Sequence, residues 1–308
     1  MSTFELRPLP PFRLVPTVRA LQRQPGNRVD IFEEGRYRRV LAAGDANRLV
    51  TVEDAGSIDQ PVLRVTVGGD PLTADQMGVL RRTLGNVLGI HVDLTPFYTI
   101  AGQNSRLRMI AVALRGLKPP RFATLFESIV NSVVFQQISL AAGVSTVGRL
   151  AERYGASLVF DGRRYVGPPE PGAVAAASIE ELRSLGLSTR KVDVLRHLAG
   201  LVLSGALSDE ALSPLPSEEI IEKLDQLPGI GRWTAEVILL RGFGRLDVFP
   251  SGDVGARRGV ARLLGLDRPL TPAEEAPLLA RFGEQRGYLY FLSLGWRLLQ
   301  AGLIEPAA

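Results

Sequence analysis

The stretch LPGIG, Leu227–Gly231, constrains the fold more than any other part of this sequence. Gly229 and Gly231 permit a tight turn with positive φ, and the proline before them fixes how the chain enters it. The residues before the turn, from Ser217, and those after it, from Arg232, both have helical spacing. We therefore predict two helices joined by a short hairpin. The free backbone N–H groups at the start of the second helix can hold a phosphate without reading base sequence.

The hairpin by itself allows two interpretations. It is either an ordinary helix–helix turn that contacts nothing or a turn that grips DNA. The Arg-aromatic-Thr-Ala sequence after the second glycine and the amphipathic flanking segments favour DNA. Neither a G-x-G-x-x-G nor a Walker A sequence occurs in the hairpin, so it is not a nucleotide-binding loop.

A lone acid, Asp253, follows the hairpin in the sequence SGDVGARRG, eighteen residues after Ala235. It precedes a predicted helix, where an acid often serves only as a partner of the helix dipole. The same position also favours the ionised carboxylate at neutral pH. In a dry, preorganised site, an ionised carboxylate stabilises an oxocarbenium-like sugar and orients water. Both interpretations stay open, and we expect the competing acid, Asp247, to have a structural or hydrogen-bonding role.

Composition excludes several classes of chemistry. The chain has 308 residues, enough for two or three domains, and its hydrophobic content of 45% indicates a folded protein. The absence of cysteine excludes disulfides, thiolate nucleophiles and Cys-ligated zinc or iron–sulfur sites. The only histidines, His91 and His197, are far apart, so we expect no histidine metal site. The net charge of +4 rests on arginine, with three lysines, which suits phosphate contacts but equally fits a composition bias.

We predict a mainly α-helical fold with an N-terminal mixed α/β domain. Residues 1–115 form the mixed domain, with strands at Arg28–Phe32 and Val62–Val67 and a helix capped by Thr73. Residues 116–308 form a helical catalytic region that contains the hairpin. Further helix starts are predicted at Ser178, Ser188, Ser217 and Thr271, and residues 161–172 are predicted as a polar loop.

The sequence LPGIGRWTA, followed by LRGFGRLDVFPSGD, resembles the hairpin and catalytic-aspartate segment of the helix-hairpin-helix DNA glycosylase superfamily. The resemblance is closest to the bacterial 3-methyladenine DNA glycosylase II branch of that superfamily. FESIVNSVVFQQIS is similar to the family's helix and DNA-wedge region, and RGYLYFLSLGW to its last core helix. The N-terminal region fits the family's extra α/β domain. The resemblance covers nearly the whole chain and implies the helix-hairpin-helix glycosylase fold.

The resemblance also implies roles for individual residues. Asp253 matches the catalytic aspartate. The hairpin residues that hold DNA phosphate through their backbone are Leu227, Gly229, Ile230 and Gly231, with Thr234 expected to contact DNA beside them. Gln137 matches the side chain that fills the gap left by a flipped base. That side chain is apolar in the closest branch, so Gln137 departs from the pattern and is alternatively only a polar residue that ends a helix.

Trp233 stands where related bifunctional glycosylases carry a Schiff-base lysine. An indole cannot form a Schiff base, and none of the three lysines lies between Leu227 and Asp253. The resemblance therefore implies base excision without strand cleavage. Trp233 is interpreted either as stacking on a cationic alkylated purine or as core packing. Tyr288 matches another aromatic of the family's base pocket, whereas Gln285 stands where an aromatic is expected.

Together these features predict a monofunctional DNA glycosylase that flips an alkylated purine such as 3-methyladenine out of duplex DNA, hydrolyses the N-glycosidic bond and leaves an abasic site. Two alternatives stay open: a bifunctional glycosylase/lyase for oxidised bases, and a non-catalytic DNA-binding protein. The expected partner is damaged double-stranded DNA. The resemblance implies no redox cofactor and no catalytic metal, but a monovalent cation often lies at the hairpin in the family.

The sequence also gives an expectation for where the chain works. No apolar run approaches the length of a membrane span, and the N-terminal residues lack the apolar core of a signal peptide. We therefore expect a soluble cytoplasmic protein that associates with the nucleoid, and a monomer.

Overall fold

Helices make up most of the regular structure in the computed structural model, which describes residues 1–24 and 26–307. The strands of these residues are β1 (Ser2–Leu6), β2 (Ile31–Glu33), β3 (Arg36–Ala43), β4 (Ala46–Asp54), β5 (Leu63–Val67), β6 (Gly155–Phe160) and β7 (Arg163–Pro169). The first helices are α1 (Leu14–Gln22), α2 (Ala74–Val87), α3 (Thr95–Ala101), α4 (Ser105–Ala113), α5 (Leu125–Val134), α6 (Leu140–Tyr154) and α7 (Pro171–Ala176). The later helices are α8 (Ile179–Ser184), α9 (Thr189–Leu203), α10 (Asp209–Leu212), α11 (Ser217–Asp225), α12 (Arg232–Ile238), α13 (Val254–Leu263), α14 (Pro272–Phe282) and α15 (Tyr288–Gln300). A π-helical turn, Leu239–Phe243, continues α12, and a 3-10 turn, Gly283–Gln285, precedes α15.

The predicted fold class, mainly α with an N-terminal mixed α/β part, is confirmed. In residues 1–24 and 26–307, no helix combines the length and apolarity needed to cross a membrane.

The N-terminal strands form one antiparallel sheet in the order β1-β5-β4-β3-β2. Leu63, Val65 and Val67 of β5 are fully buried, whereas the intervening Arg64 is exposed. This alternation is the two-residue period of a strand with one buried face. The buried face shares an apolar cluster with α1 and α2, so these helices pack on the sheet.

Local capping sets where several helices begin. Thr73, Ser178 and Thr271 each form a capping box with the residue three positions later, which confirms the predicted starts. The hydroxyl of Ser188 accepts a hydrogen bond from the backbone N–H three residues on. Helix α11 begins at Ser217, as predicted. Short-range hydrogen bonds of this kind are readable from sequence because both partners lie within one turn.

The helical part of the molecule is built around two apolar clusters. The first joins α5, α9, α11 and α12, and the second joins α3, α4, α13 and α15. Buried side chains from Leu94 to Leu117 belong to the second cluster, together with those of α15. The fully buried core of the sheet extends only to Ile90. The domain boundary between residues 115 and 116 therefore stays a prediction, since α3 and α4 pack with C-terminal helices.

The prediction of a polar loop at residues 161–172 is wrong. Strands β6 and β7 pair there as an antiparallel hairpin. Asp161 and Gly162 form the two-residue turn, with φ of +48° and +72°, a conformation that Asp-Gly favours between strands. Tyr165 on β7 packs with side chains of β3 and β4 in a separate apolar cluster. The hairpin thus covers the N-terminal sheet on the face opposite its main core.

A buried ion network ties the sheet to the helical region. Arg39 on β3 is 1% exposed, and its Nη1 donates to Asp30 at 2.5 Å while its Nη2 donates to Glu127 of α5. The Tyr37 hydroxyl also donates to Asp30, at 2.8 Å. Burial alone would lower the pKa of Arg39, but Asp30 and Glu127 hold it well above its usual value. The guanidinium is therefore a permanent cation between two parts of the fold.

Candidate active site

Most of the predicted site residues line one cavity of about 960 Å³. Those that line it are Gln137, Gly229, Ile230, Gly231, Trp233, Thr234 and Asp253. The cavity lies where the α5–α6 turn, the hairpin between α11 and α12, the start of α13 and helix α15 meet. Its volume is in the range that holds a small organic ligand, so a purine base fits inside. The fold therefore gathers residues that are more than a hundred positions apart in the sequence.

Only one of the two hairpin glycines has positive φ. Gly229 has φ +81°, and a Cβ added there would lie 2.1 Å from a methyl carbon of Val194 on α9. Gly231 has φ −102°, so the expectation of positive φ at both glycines is wrong for this one. Apart from its chain neighbours, an added Cβ at Gly231 would come no closer than 3.9 Å to a described atom, at Asp225. Gly231 thus leaves open space at the start of α12, where the first backbone N–H groups have no partner within the helix.

A side chain that sequence reasoning missed braces the hairpin. Gln136, just after α5, donates through Nε2 to the Gly229 carbonyl and to the Thr234 hydroxyl, each at 3.0 Å. Thr234 is buried and supports the hairpin from within as well as lining the cavity. Leu227 does not line the cavity but packs against the first apolar cluster. The sequence FQQ offered two adjacent glutamines, and only the fold shows which one turns inward.

Gln137 lies on the turn between α5 and α6, with its side chain exposed. Its φ is +55°, a strained conformation for a non-glycine residue that recurs at functional sites as well as in tight turns. Lys191 holds this turn, because its Nζ donates to the carbonyls of Val134 and Gln136 at 2.8 Å each. Burial lowers the pKa of Lys191. The next residue, Ile138, is 40% exposed and places an apolar side chain beside Gln137.

Asp253 both caps a helix and lines the cavity. Its Oδ1 accepts a hydrogen bond from the Ala256 N–H at 2.9 Å, at the start of α13. The half-buried carboxylate forms no ion pair with a basic side chain of the residues that the structure describes. Asp247, the competing acid, does not line the cavity, and its carbonyl accepts from Arg286. The two sequence interpretations of Asp253 are therefore compatible, since one oxygen caps and the other is free.

The two predicted aromatic residues lie in different surroundings. Trp233 lines the cavity, and its indole N–H has no hydrogen-bond partner among the described residues. It lies against Gly252, where an added Cβ would be 3.1 Å from the Trp233 Cβ. Tyr288 is fully buried and its hydroxyl donates to the Leu117 carbonyl at 2.6 Å. This corrects the expectation that Tyr288 forms part of the base pocket, because Tyr290 lines the cavity instead.

Basic side chains outnumber acidic ones in the described cavity wall. The basic ones are Arg23, Arg190, Lys191, Arg262 and Arg297. Among the described lining residues, Asp253 is the one acidic side chain. Guanidinium groups around an opening of this kind bind phosphates. Arg23 comes from the end of α1, a region for which the sequence suggested no chemistry.

Metal ligands are not gathered at this site. Over residues 1–24 and 26–307, no cluster of three or more His, Asp or Glu side chains is arranged to hold a metal ion. The carboxylates of Asp30 and Glu127 are committed to Arg39.

The chain is similar to several known DNA repair proteins. Residues 130–283 match the family of HhH-GPD superfamily base excision DNA repair proteins. The DNA-3-methyladenine glycosylase of Bacillus subtilis is 27% identical over 261 residues, which is 85% of each protein. The DNA-3-methyladenine glycosylase 2 of Escherichia coli is 30% identical over 225 residues, covering 73% of this chain and 75% of that protein. The solved structure of the 3-methyladenine DNA-glycosylase from Archaeoglobus fulgidus is similar with a TM-score of 0.80 and 26% identity, covering 96% of this chain and 98% of that one.

Proposed function

Because the chain belongs to the HhH-GPD superfamily of base excision DNA repair proteins, we propose that it excises alkylated purines such as 3-methyladenine from duplex DNA. It is a DNA glycosylase, an enzyme that hydrolyses the bond between a base and its sugar. The relatives from Bacillus subtilis and Escherichia coli carry the name of this activity. One observation carries the proposal: Asp253, Trp233 and the hairpin glycine Gly231 line the same cavity.

The hairpin and the basic rim account for DNA binding. The start of α12 offers backbone N–H groups to a phosphate, and the bare Cα of Gly231 lets the phosphate approach closely. Arg190 and Arg297 supply further contacts to the sugar–phosphate backbone. None of these groups reads a base sequence. Binding therefore weakens steeply as the salt concentration rises.

Base flipping explains why the cavity is large and lies beside the hairpin. Extruding one nucleotide costs roughly a few kcal/mol, and less for a damaged base that pairs or stacks poorly. Gln137, exposed on a strained turn, enters the duplex and fills the gap. Ile138 lies next to it and adds apolar contact with the stacked bases. The side chains that enter the duplex are therefore one polar residue, Gln137, and one apolar residue, Ile138.

Asp253 carries the chemistry of base release. An N-alkylated purine is positively charged and leaves readily, so little acid catalysis is needed. As the bond between base and sugar breaks, positive charge develops on the sugar, and the unpaired Asp253 carboxylate stabilises it. Asp253 orients a water molecule that adds its hydroxyl to C1′ and gives up a proton to the carboxylate or solvent. Trp233 stacks on the cationic base, and the products are the free base and an abasic site.

The enzyme works without strand cleavage. Trp233 stands where a Schiff-base lysine would be needed, and an indole cannot replace that amine. Lys191 does line the cavity, but its ammonium donates to the Val134 and Gln136 carbonyls. Borohydride is therefore expected to trap no covalent complex with damaged DNA. Trapping in the parent protein that disappears in Lys191→Met would instead establish a bifunctional enzyme.

The hairpin also fits a monovalent cation of the kind family members often carry. The carbonyl oxygens of Leu227 and Gly229 each accept one hydrogen bond, from the Ile230 N–H and from Gln136. Each carbonyl keeps a second lone pair for a cation. The positive charge would add to the attraction for a phosphate. The protein acts as a monomer on chromosomal DNA, in the nucleoid.

The test is release of free base from methylated duplex DNA. The parent protein and Asp247→Asn are expected to release 3-methyladenine, because Asp247 lies outside the cavity. Asp253→Asn is expected to bind the DNA and release at least about a hundredfold less base. Equal release by Asp253→Asn would remove this residue from the mechanism. DNA binding without release of any base by the parent would make the chain a DNA-binding protein rather than a glycosylase.

A further inference from the structure

Arg23 reaches the cavity from the N-terminal part of the chain through a strained turn. It follows the last residue of α1 and has φ +63° and ψ −45°. The Gln24 N–H donates to the Gln22 carbonyl at 2.7 Å, so Arg23 is the central residue of a γ-turn. The form with positive φ is the rarer and more strained of the two γ-turns. Strain of this kind persists where surrounding contacts fix the residue in place.

Two aromatic residues of the cavity wall fix the Arg23 side chain. Its guanidinium lies 5.0 Å from the ring centre of Phe135. Its Nη2 donates to the hydroxyl of Tyr290 at 2.8 Å. Both partners line the cavity, and both belong to the helical region. Nη2 makes the one side-chain hydrogen bond of this group within the described residues, so Nε and Nη1 keep their donors free.

A second arginine lies behind this wall. Arg241, in the π-helical turn, is fully buried between Phe122 and Phe291, at 4.9 Å and 5.6 Å from their ring centres. None of its three guanidinium nitrogens has a hydrogen-bond partner in the part of the chain that is described. Burial and, to a smaller extent, the nearby Arg23 cation lower the pKa of Arg241 to about 10. Arg23 in the cavity wall and Arg241 behind it are therefore both cations, and neither forms an ion pair with a residue that the structure describes.

We propose that Arg23 selects alkylated purines that carry a carbonyl oxygen at position 6 over those that carry an amino group there. The inference rests on the proposed glycosylase function and concerns the same cavity. Arg23 hydrogen-bonds the edge of the flipped base, and Tyr290 and Phe135 hold it in the orientation that does so. Arg241 keeps this end of the cavity positive.

The chemistry of the two purine edges decides the preference. A guanidinium has only N–H donors and no acceptor. The O6 oxygen of an alkylated guanine has two lone pairs and accepts such bonds. In DNA grooves arginine donates to this O6 together with N7, and O6 stays available as an acceptor when N7 is methylated. The N6 amino group of an alkylated adenine is itself a donor, and in 3-methyladenine it also carries part of the positive charge. Placed against Arg23, the amino group sets its N–H donors against those of the guanidinium and gains no hydrogen bond. An adenine lesion must therefore bind without help from this residue.

The test measures a ratio within one reaction. DNA treated with a methylating agent contains 7-methylguanine, 3-methylguanine and 3-methyladenine, and all free bases released are quantified together by chromatography. Arg23→Met is expected to lower the initial-rate ratio of methylguanines to 3-methyladenine by at least about tenfold. Tyr290→Phe removes only the hydroxyl that accepts from Arg23, so it should lower the ratio in the same direction. Arg190→Met, another arginine of the cavity wall, is expected to leave the ratio unchanged.

Each outcome decides the proposal. The inference is overturned if the parent releases these bases and neither Arg23→Met nor Tyr290→Phe changes the ratio. That result leaves the glycosylase function intact. Should Arg23→Met fail to fold, the ratio in Tyr290→Phe decides alone. No release of any base by the parent overturns the proposed function and this inference with it. A ratio that falls equally in Arg190→Met shows a general charge effect and also overturns the role of Arg23.

Discussion

At the scale of single residues, Asp253 combines two tasks that are usually separate. It caps α13 through one oxygen and leaves the other free in the cavity. Because the Ala256 N–H fixes the carboxylate, it does not need an ion pair for its orientation. A free carboxylate that is already positioned is what a developing sugar cation requires.

The capping and catalytic tasks of Asp253 can be separated by substitution. Asparagine caps a helix as well as aspartate does, whereas alanine does not. We expect Asp253→Ala to lower the free energy of unfolding by about 1 kcal/mol and Asp253→Asn to leave it nearly unchanged. Both should lack base release. Urea unfolding together with a release assay measures the two effects, and an active Asp253→Asn that is destabilised would contradict the assignment.

A buried lysine makes stability depend on pH. Lys118 is fully buried and its Nζ donates to the Val92 carbonyl at 2.6 Å. Burial lowers its pKa from 10.5 to about 8, with Asp93 opposing the shift. Between pH 8 and pH 10.5, Lys118 binds more protons in the unfolded chain than in the folded one. The free energy of unfolding therefore increases as pH rises from about 8 to 10.5, and this gain is lost as pH falls through 8.

Lys118→Met removes this titration. We expect the free energy of unfolding of the variant, minus that of the parent, to be larger at pH 7 than at pH 9.5. The reason is that only the parent gains stability from Lys118 over that interval. Urea unfolding at the two pH values gives the difference directly. A difference that does not change between pH 7 and pH 9.5 would show that Lys118 is already neutral or remains hydrated at neutral pH.

The residues that sequence reasoning placed wrongly depend on distant contacts. Tyr288 and Tyr290 are two positions apart on one helix, so only one of them can face the cavity. Which one does so is decided by how α15 packs on α3 and α4, which the local sequence does not contain. The position of Arg23 in the cavity wall could not be predicted from the local sequence, because its partner Tyr290 lies 267 residues away. Trp233 and Asp253, by contrast, can be picked out from the sequence, because Trp233 directly follows the first residue after the hairpin and Asp253 is the lone acid of the segment SGDVGARRG.

At the scale of elements, the hairpin between α11 and α12 uses its two glycines for different purposes. Gly229 packs its bare Cα against α9 with φ +81°. Gly231 has ordinary backbone geometry and open space around it. The first glycine is therefore required by the protein's own packing. The second is free to serve a ligand.

This difference gives a matched pair of substitutions. Gly229→Ala is expected to lower the free energy of unfolding by about 2–4 kcal/mol, because the methyl group meets Val194 and the φ is unfavourable. Gly231→Ala should fold like the parent but bind duplex DNA about tenfold more weakly, since the methyl group stands where the phosphate approaches. Thermal unfolding and a DNA-binding titration separate the two. Unchanged DNA affinity in Gly231→Ala would mean that the phosphate lies elsewhere.

Helix starts were predictable from sequence, and the β6–β7 hairpin was not. Thr73, Ser178 and Thr271 each have their capping partner three residues away, so the signal is complete within one turn. The β6–β7 hairpin had a usable signal in Asp161–Gly162, which favours a two-residue strand turn. The prolines and charges that follow it hid the alternation of Tyr165 and its neighbours. The strands are stabilised by the N-terminal sheet beneath them, a contact that no local pattern reveals.

At the scale of the whole molecule, Arg39 links the N-terminal sheet to helix α5 through a buried ion network. Its two carboxylate partners, Asp30 and Glu127, come from different parts of the fold, and all three side chains are buried. Removing the cation would leave two uncompensated buried carboxylates. The position of α5, and with it the turn that carries Gln137, depends on this link.

Arg39→Met is expected to lower the free energy of unfolding by about 3–5 kcal/mol. Arg36, on the same strand, pairs with Glu53 at the surface and provides the control: Arg36→Met should change the melting temperature little. Thermal and urea unfolding compare the two variants. Similar losses in both would show that Arg39 acts only through its strand and not through the buried network.

The second apolar cluster has a consequence for how the protein is made. It joins side chains near Phe97 and Leu114 to those of α15, which the ribosome delivers much later. Until α15 emerges, the apolar faces of α3 and α4 lack their cover and are open to aggregation or to chaperones. The N-terminal sheet can fold early, whereas the cavity forms only once α15 has been synthesised. A partly synthesised chain therefore lacks the complete cavity, because residues of α15 form part of its wall.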